Sequence, residues 1–238
     1  MARVVDDLNT LPEFSRYCRP FAEEQSGPQP GIVIRFSTHI EPGKNVFGLP
    51  LAEGDHSYSV ANFATKIASM GVWLDLDDPA GLSATPRGYL VPVGTDSIRI
   101  STSDDPVTRN WTVLDQRVPT PFVINDADLT SPDFIPSLDG VDGSFQELRR
   151  HGDFRIYHDA GGSVDDSELV PDTRLIGRSV WNSEWLLIIP GASLHADPRE
   201  GVNRFVNGRL TGLSPGDRDL QGIDDIKILF MTYSHNGQ

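Results

Sequence analysis

The chain has 238 residues and a formal net charge of −14, with 34 Asp and Glu against 20 Lys and Arg. This balance excludes the phosphate-neutralising surface of a nucleic-acid-binding protein, and it disfavours anionic membranes as partners. The single cysteine, Cys18, excludes an internal disulfide and a cysteine-built zinc site.

The beginning of the chain carries no basic region followed by an apolar run, so no Sec signal peptide and no membrane insertion are predicted. We expect the protein to be made in the cytoplasm. Residues 1–31 are interpreted as an N-terminal strap or linker. A loose helical spacing from Val4 to Ala22 is interrupted by Pro12 and Pro20, and 23–31 has a linker-like composition.

The next segments predict strands. Residues 32–40 alternate apolar and polar side chains, a turn follows at 41–44, and 46–51 reads as a short strand. The stretch 63–76 has spacings compatible with a helix or a strand, and Gly71 with its apolar neighbours favours a strand from about Thr65.

The second half of the chain alternates short strands with loops. Strands are predicted at 87–93, 97–101, 110–116, 154–158 and 223–234. Residues 117–144 are expected to form a long ordered loop or a small subdomain, and 144–150 a short helix. A helical turn is predicted within 196–208, where Asp197 caps a helix that begins at Pro198.

The most apolar stretch is 174–191, which predicts the central strand. From Trp185 to Ile189 both alternating sets of residues are apolar, so this strand should be buried on both faces and stop at Pro190-Gly191. The predicted structural core residues are Trp181, Trp185, Leu187 and Ile189.

About ten short strands with frequent turn signals predict an all-β fold. We expect an antiparallel β-sandwich of jelly-roll or Greek-key type with one or two short helices, formed by residues 32–238.

Five segments occur in an order that resembles a known family. They are a Lys-Ile-x-Ser-hydrophobic-Gly-Val strand at 66–72, an Arg-Gly-Tyr-Leu-Val-Pro strand at 87–92, a Ser-Phe-Gln-Glu-Leu-Arg helix turn at 144–149, a Trp-x-x-x-Trp-Leu-Leu-Ile-Ile-Pro strand at 181–190 and an Ile-x-Asp-Ile-x-Ile strand at 223–228. This order resembles the C-terminal β-sandwich of the A component of bacterial Tc (toxin complex) toxins, and of related large bacterial toxin-like proteins. The resemblance covers residues 32–235.

The resemblance implies a non-enzymatic docking module of a virulence-related assembly, released or surface-associated, whose partner is a protein such as a Tc B-like component. Membership of a larger assembly is also compatible with a homo-oligomer. The early strand continues as Asp-Leu-Asp-Asp-Pro-Ala-Gly, where the family has a Pro and Gly-Pro-Tyr segment. No interface residue matches one by one, so none is transferred.

Calcium is the one cofactor that the residues suggest. Asp75 and Asp77 have the i, i+2 spacing of two calcium ligands, and Asp78 follows them, but the rest of an EF-hand pattern is absent. Structural turns explain these residues more simply, so no metal site and no cofactor are predicted, with Asp75, Asp77 and Asp78 as the weak calcium candidates.

The alternative function is carbohydrate binding by a lectin-like β-sandwich, assisted by calcium in the acidic loops. Its weak ligand-binding candidate is Trp111, because this tryptophan lies in a polar context, whereas Trp181 and Trp185 lie in an apolar run. No catalytic residue is predicted: there is no Gly-x-Ser-x-Gly elbow and no HExxH helix, and Asp197 beside His195 already has a role as helix cap.

Overall fold

The computed structural model describes residues 2–18, 27–51, 59–76, 87–101, 106–112, 152–158, 175, 177–207 and 223–236. Within them the chain is mostly β, with antiparallel sheets and three short α-helices. The strands are β1 (Ala2–Val5), β2 (Gly31–Phe36), β3 (Asn62–Leu76), β4 (Arg87–Pro92), β5 (Thr95–Ile100), β6 (Val107–Thr112), β7 (Gly152–His158), β8 (Trp181–Asn182), β9 (Trp185–Pro190) and β10 (Ile223–Asn236). The helices are α1 (Pro12–Tyr17), α2 (Gly191–Leu194) and α3 (Pro198–Asn207), and a 3-10 turn spans Leu8–Thr10.

The described strands form two sheets. The larger sheet has seven strands in the order β1-β2-β9-β4-β7-β3-β10, and the smaller has the order β6-β5-β8. Neighbouring strands are antiparallel except β3 and β7, which are parallel over Val72–Leu74. This one parallel pair departs from the fully antiparallel expectation.

Strand β9 is buried on both faces, as its double apolar pattern predicts. Trp185, Leu187 and Ile189 belong to one apolar cluster, whereas Leu186 and Ile188 belong to a second. The predicted core residues are all enclosed, with Trp181 3 % exposed and Trp185, Leu187 and Ile189 fully buried. The strand ends at Pro190, and the unpredicted helix α2 follows directly.

The N-terminal residues cover the second cluster. Strand β1 pairs with β2, and Leu8, Phe14 and Cys18 pack on this side of the sheet. The ring of Phe14 meets Tyr89 edge-on at 5.6 Å between centroids. Pro12 was expected to interrupt a helix and instead begins α1, because proline suits the first helical turn, where its missing N–H costs no hydrogen bond.

The large sheet is bent, so that side chains of β10 and β9 meet. In a flat sheet β10 and β9 would lie ~19 Å apart, since four strand spacings of ~4.8 Å separate them. Yet the ring of Phe230 on β10 lies 5.6 Å from the ring of Trp185 on β9. Phe36 and Phe47 complete this aromatic group, which closes the main apolar cluster.

Several local predictions can be compared with these elements. The ambiguous stretch 63–76 is strand β3, and the cap of α3 is confirmed by hydrogen bonds from the backbone N–H groups of Arg199 and Glu200 to Asp197 Oδ1. The predicted strand at 46–51 is wrong. Asn45 Oδ1 accepts from the N–H groups of Phe47 and Leu49 and folds this stretch into a turn, with one bridge between Lys44 and Pro50. The predictions for 113–151 lie outside the described residues.

Candidate functional site

Strands β3 and β10 form a long antiparallel ribbon. Their register runs from Ile223 opposite Leu76 to Asn236 opposite Asn62. Among the described strands, β10 pairs with β3 and stands last in the order of the seven-stranded sheet.

The two faces of β10 have different surroundings. Ile226, Ile228 and Phe230 pack against the main apolar cluster. Because side chains alternate along a strand, the intervening ones point outward. We call this side of the ribbon the ribbon face, and it comprises five residues of β10 (Lys227, Leu229, Met231, Tyr233, His235) and their partners on β3 (Trp73, Gly71, Ser69, Lys66, Phe63). Trp73 is buried, whereas Met231 and Tyr233 are 38 % and 41 % exposed and lie two positions apart on the same strand.

A β-bulge shapes one end of the ribbon face. Ala64 and Thr65 together oppose the single residue Ser234, and Ala64 has a φ of 49°, in the left-handed region. The extra residue places Phe63 and Lys66 on the same face, although three positions would otherwise separate them onto opposite faces. On the other side, the hydroxyl groups of Thr65 and Ser234 are hydrogen-bonded at 2.7 Å.

The charged residues of the ribbon face are distributed unevenly along it. Residues 62–74 and 226–236 contain no Asp or Glu, whereas the whole chain has a net charge of −14. Lys66 and Lys227 lie on the face, and the guanidinium carbon of Arg99 lies 4.8 Å from the ring centroid of Phe63. Asp225 and its register partner Asp75 continue the same rows beyond Lys227 and Trp73, so one end of the ribbon is acidic.

A cluster of hydrogen-bonded polar side chains is buried around Asp96 of the smaller sheet. Asp96 of β5 is 1 % exposed; its Oδ2 accepts from Arg178 Nη2 at 2.9 Å and its Oδ1 from Asn182 Nδ2 at 2.6 Å. Burial raises the pKa of Asp96 above 3.8, and the charge of Arg178 opposes this rise. A carboxylate that is enclosed and fully engaged by protein donors has a structural role in joining β5 to β8.

Thr38 extends this buried group towards β9. Its hydroxyl donates to the carbonyl of Val180 at 2.7 Å and accepts from the N–H groups of Asn182 (2.8 Å) and the Trp185 indole (3.0 Å). The Trp185 indole is thereby satisfied inside the core. Trp181 and Trp185 do not line an open cleft.

Trp111, the predicted ligand-binding candidate, is half-buried on β6. It lies directly opposite Asp96 in the β5–β6 register, and its indole helps to lower the pKa of that carboxyl. The indole nitrogen is buried, so the polar edge of this ring is turned into the protein. The structure therefore places Trp111 beside a buried carboxylate and not on an open aromatic platform.

The calcium candidates are only partly described. Asp75 lies in β3 opposite Asp225 of β10, while Asp77 and Asp78 lie outside the described residues. Within the described ranges, no group of three or more His, Cys, Asp and Glu residues is arranged to hold a metal ion.

One serine–histidine contact lies on the surface. Ser37 Oγ and His39 Nε2 are 2.8 Å apart on an exposed segment after β2. A nucleophilic pair also needs a third group that orients the histidine, and no described residue forms a hydrogen bond with His39 Nδ1. The contact is therefore a surface hydrogen bond without the rest of a catalytic arrangement.

The chain matches no family model, no curated protein and no solved structure. Among the described helices, none is long and apolar enough to cross a membrane.

Proposed function

We propose that the chain is a non-enzymatic protein-docking β-sandwich of a Tc-toxin-like multi-component assembly, and that it binds its partner through the ribbon face. The observation that carries the proposal is the exposed row of apolar and cationic side chains on the edge of a long ribbon. Contiguous exposed apolar groups on a soluble domain are typical of interaction surfaces.

The position of the family-like segments supports the assembly part of the proposal. Four of them lie in strands of the seven-stranded sheet, at β3, β4, β9 and β10, and the fifth lies outside the described residues. If this chain and the family share the order of these segments, they would also share the sheet that the segments form. The contact of Phe230 on β10 with Trp185 on β9, 5.6 Å between ring centroids, is what two facing layers of a sandwich would produce, and it supports this part of the proposal.

The buried polar residues support a binding role over a catalytic one. Asp96 and Arg178 form a buried ion pair, and their side chains are 2 % and 11 % exposed. A catalytic acid or base has to reach its substrate, and this pair does not.

Binding to a purified Tc B component tests the proposal. The chain is immobilised, and the B component is titrated by biolayer interferometry against wild type and a Met231→Asp/Tyr233→Asp variant. We expect at least a tenfold loss of affinity, because both substitutions place a carboxylate in a contact that buries apolar surface. The control is Leu49→Asp/Leu51→Asp, which changes two apolar side chains that are more exposed, at 58 % and 46 %, and belong to neither strand of the ribbon.

Two outcomes would contradict the proposal in different ways. Equal losses in both variants would remove the ribbon face as the contact, and no binding by wild type would remove the Tc-like assembly. A glycan array run in parallel separates the alternative. Sugar binding that disappears on Trp111→Ala would favour a carbohydrate-binding module instead.

A further inference from the structure

We propose that two copies of the chain exchange residues 2–18, so that the sheet of each copy is covered by the N-terminal residues of the other. We call residues 2–18 the cover segment. The inference is independent of the proposed docking function, and it names a second copy of this chain as a partner.

The cover segment packs on one surface of the large sheet. Its strand β1 pairs with β2, with Ala2–Val5 opposite Gly31–Ile34. Its buried residues Leu8, Phe14 and Cys18 all belong to the second apolar cluster, and no described residue of the segment belongs to the main cluster. An element with a single contact surface can therefore separate from the sheet while the main core stays packed.

The surface beneath the cover segment needs a cover. The remaining buried members of the second cluster lie on β2, β4 and β9, and each is at most 2 % exposed. They are Val33, Tyr89, Val91, Leu186 and Ile188. Removal of the cover segment would bring five large apolar side chains into water, and burial of such surface is the main favourable term in folding and in association. A copy that has lost its own cover segment therefore gains from any segment that restores the same packing.

The sheet is shaped for this particular segment. A Cβ atom at Gly31 would lie 2.5 Å from Leu8 Cδ1, so the absence of a side chain at Gly31 provides the space that Leu8 fills. The Leu8 N–H donates to the carbonyl of Gln29 at 2.6 Å, and the Gln29 N–H donates to Asp7 Oδ1 at 3.1 Å. An identical segment from a second copy reproduces each of these contacts, which is why we assign the place to it.

The length of the connection permits the exchange. Eight residues, 19–26, lie between the cover segment and Gly27, where the described part of the chain resumes. Nine Cα–Cα steps of ~3.3–3.6 Å reach up to ~30 Å when extended. Because the exchanged and unexchanged forms share their internal contacts, protein concentration and the repulsion between two copies of net charge −14 decide between them. The dimer fraction should therefore rise with salt.

A disulfide across the β1–β2 pair tests the exchange directly. Arg3→Cys/Val33→Cys is made in a Cys18→Ala background, because Arg3 lies opposite Val33 at a Cα spacing that a disulfide can bridge. The protein is incubated at high concentration in urea below its unfolding midpoint, separated into monomer and dimer by gel filtration and then oxidised. On non-reducing gels we expect disulfides between chains from the dimer and disulfides within the chain from the monomer.

A matched pair between β2 and β9 is the control. Arg35→Cys/Leu186→Cys also joins an exposed and a buried position of neighbouring strands, but both strands lie outside the cover segment. It should give disulfides within the chain from both fractions. A dimer whose β1–β2 disulfides also lie within each chain would overturn the exchange, as would the absence of a dimer at every protein and salt concentration.

Leu8→Ala tests the exchange without new cysteines. The substitution removes the same contacts from both forms, so the monomer–dimer equilibrium constant should change less than threefold. The rate at which a diluted dimer returns to monomer should rise by at least about tenfold, because the cover segment has to leave the sheet before it can exchange. A larger change in the equilibrium constant, or an unchanged rate, would show that the dimer is formed by a different surface.

Discussion

Replacement of Asp96 should separate the cost of its burial from the value of its contacts. In Asp96→Ala, Arg178 loses its buried carboxylate and the Asn182 amide loses its acceptor, while both remain enclosed. Removing one partner of a buried ion pair typically costs about 3–5 kcal/mol, and we expect a loss of this size. Asp96→Asn retains the shape and an acceptor oxygen, so its loss should be smaller.

The asparagine variant also predicts the direction of the pH dependence. Burial raises the folded-state pKa of Asp96 above 3.8, so the folded state holds this proton more tightly than the unfolded state. The contribution of Asp96 to stability is therefore fully present below pH 3.8 and declines as the pH rises through the folded-state pKa. Asn cannot titrate, so the advantage of wild type over Asp96→Asn should be larger at pH 4 than at pH 7.

Urea unfolding followed by tryptophan fluorescence gives both quantities. The free energy of unfolding is measured for wild type and the two variants at several pH values between 4 and 8. An alanine variant that loses less than about 1 kcal/mol would refute the argument that the pair is enclosed and engaged. A wild-type advantage over Asn that grows with pH would refute the sign of the pKa shift.

Three further changes test the fold. Ala64→Gly should raise the free energy of unfolding by about 0.5–1 kcal/mol, because it removes the strain of an alanine in the left-handed region. Ala68→Gly in the same strand should lower the free energy of unfolding by a similar amount. If thermal unfolding shows that both variants change stability in the same direction, the bulge at Ala64 is contradicted. Trp185→Ala should cost about 3–5 kcal/mol in the same assay, because it empties the centre of the aromatic group and leaves the Thr38 hydroxyl without one donor. Leu8→Ala should lower the free energy of unfolding by about 2–4 kcal/mol and accelerate amide hydrogen exchange in β1 and β2 more than in β10. An equal acceleration in all strands would show that the N-terminal residues do not unfold separately from the rest of the sheet.

The strands were predictable where periodicity and burial act together. The doubled apolar pattern of Trp185–Pro190 indicates burial on two faces, and the alternation of β10 indicates which residues face the core. The prediction failed where a single side chain determines the local backbone conformation. At 46–51, apolar residues suggested a strand, but the Asn45 side chain satisfies two backbone N–H groups locally and makes sheet pairing unnecessary.

The buried ion pair had no signal in the sequence. Asp96 and Arg178 are 82 positions apart; Asp96 lies in a polar segment, whereas Arg178 lies near the start of the most apolar stretch, and neither segment indicates the other as its partner. The pairing of β5 with β8 in the smaller sheet places Asp96 opposite Asn182, and Arg178 lies shortly before β8 in the chain. A long-range contact of this kind depends on strand order, which composition and spacing do not determine.

The distribution of charge along the ribbon was present in the sequence but could not be interpreted before the register was known. Two stretches without Asp or Glu, at 62–74 and 226–236, are far apart in the chain and become one surface in the β3–β10 pair. Strands disfavour acidic residues in general, and the core explains their absence from the inner face. It does not explain the outer face, where Lys66, Lys227 and His235 lie along the ribbon and Asp225 with its partner Asp75 continues the same rows at one end. On a chain with 34 acidic residues, the restriction of the acidic residues to one end of these rows becomes visible only once the strand register is known.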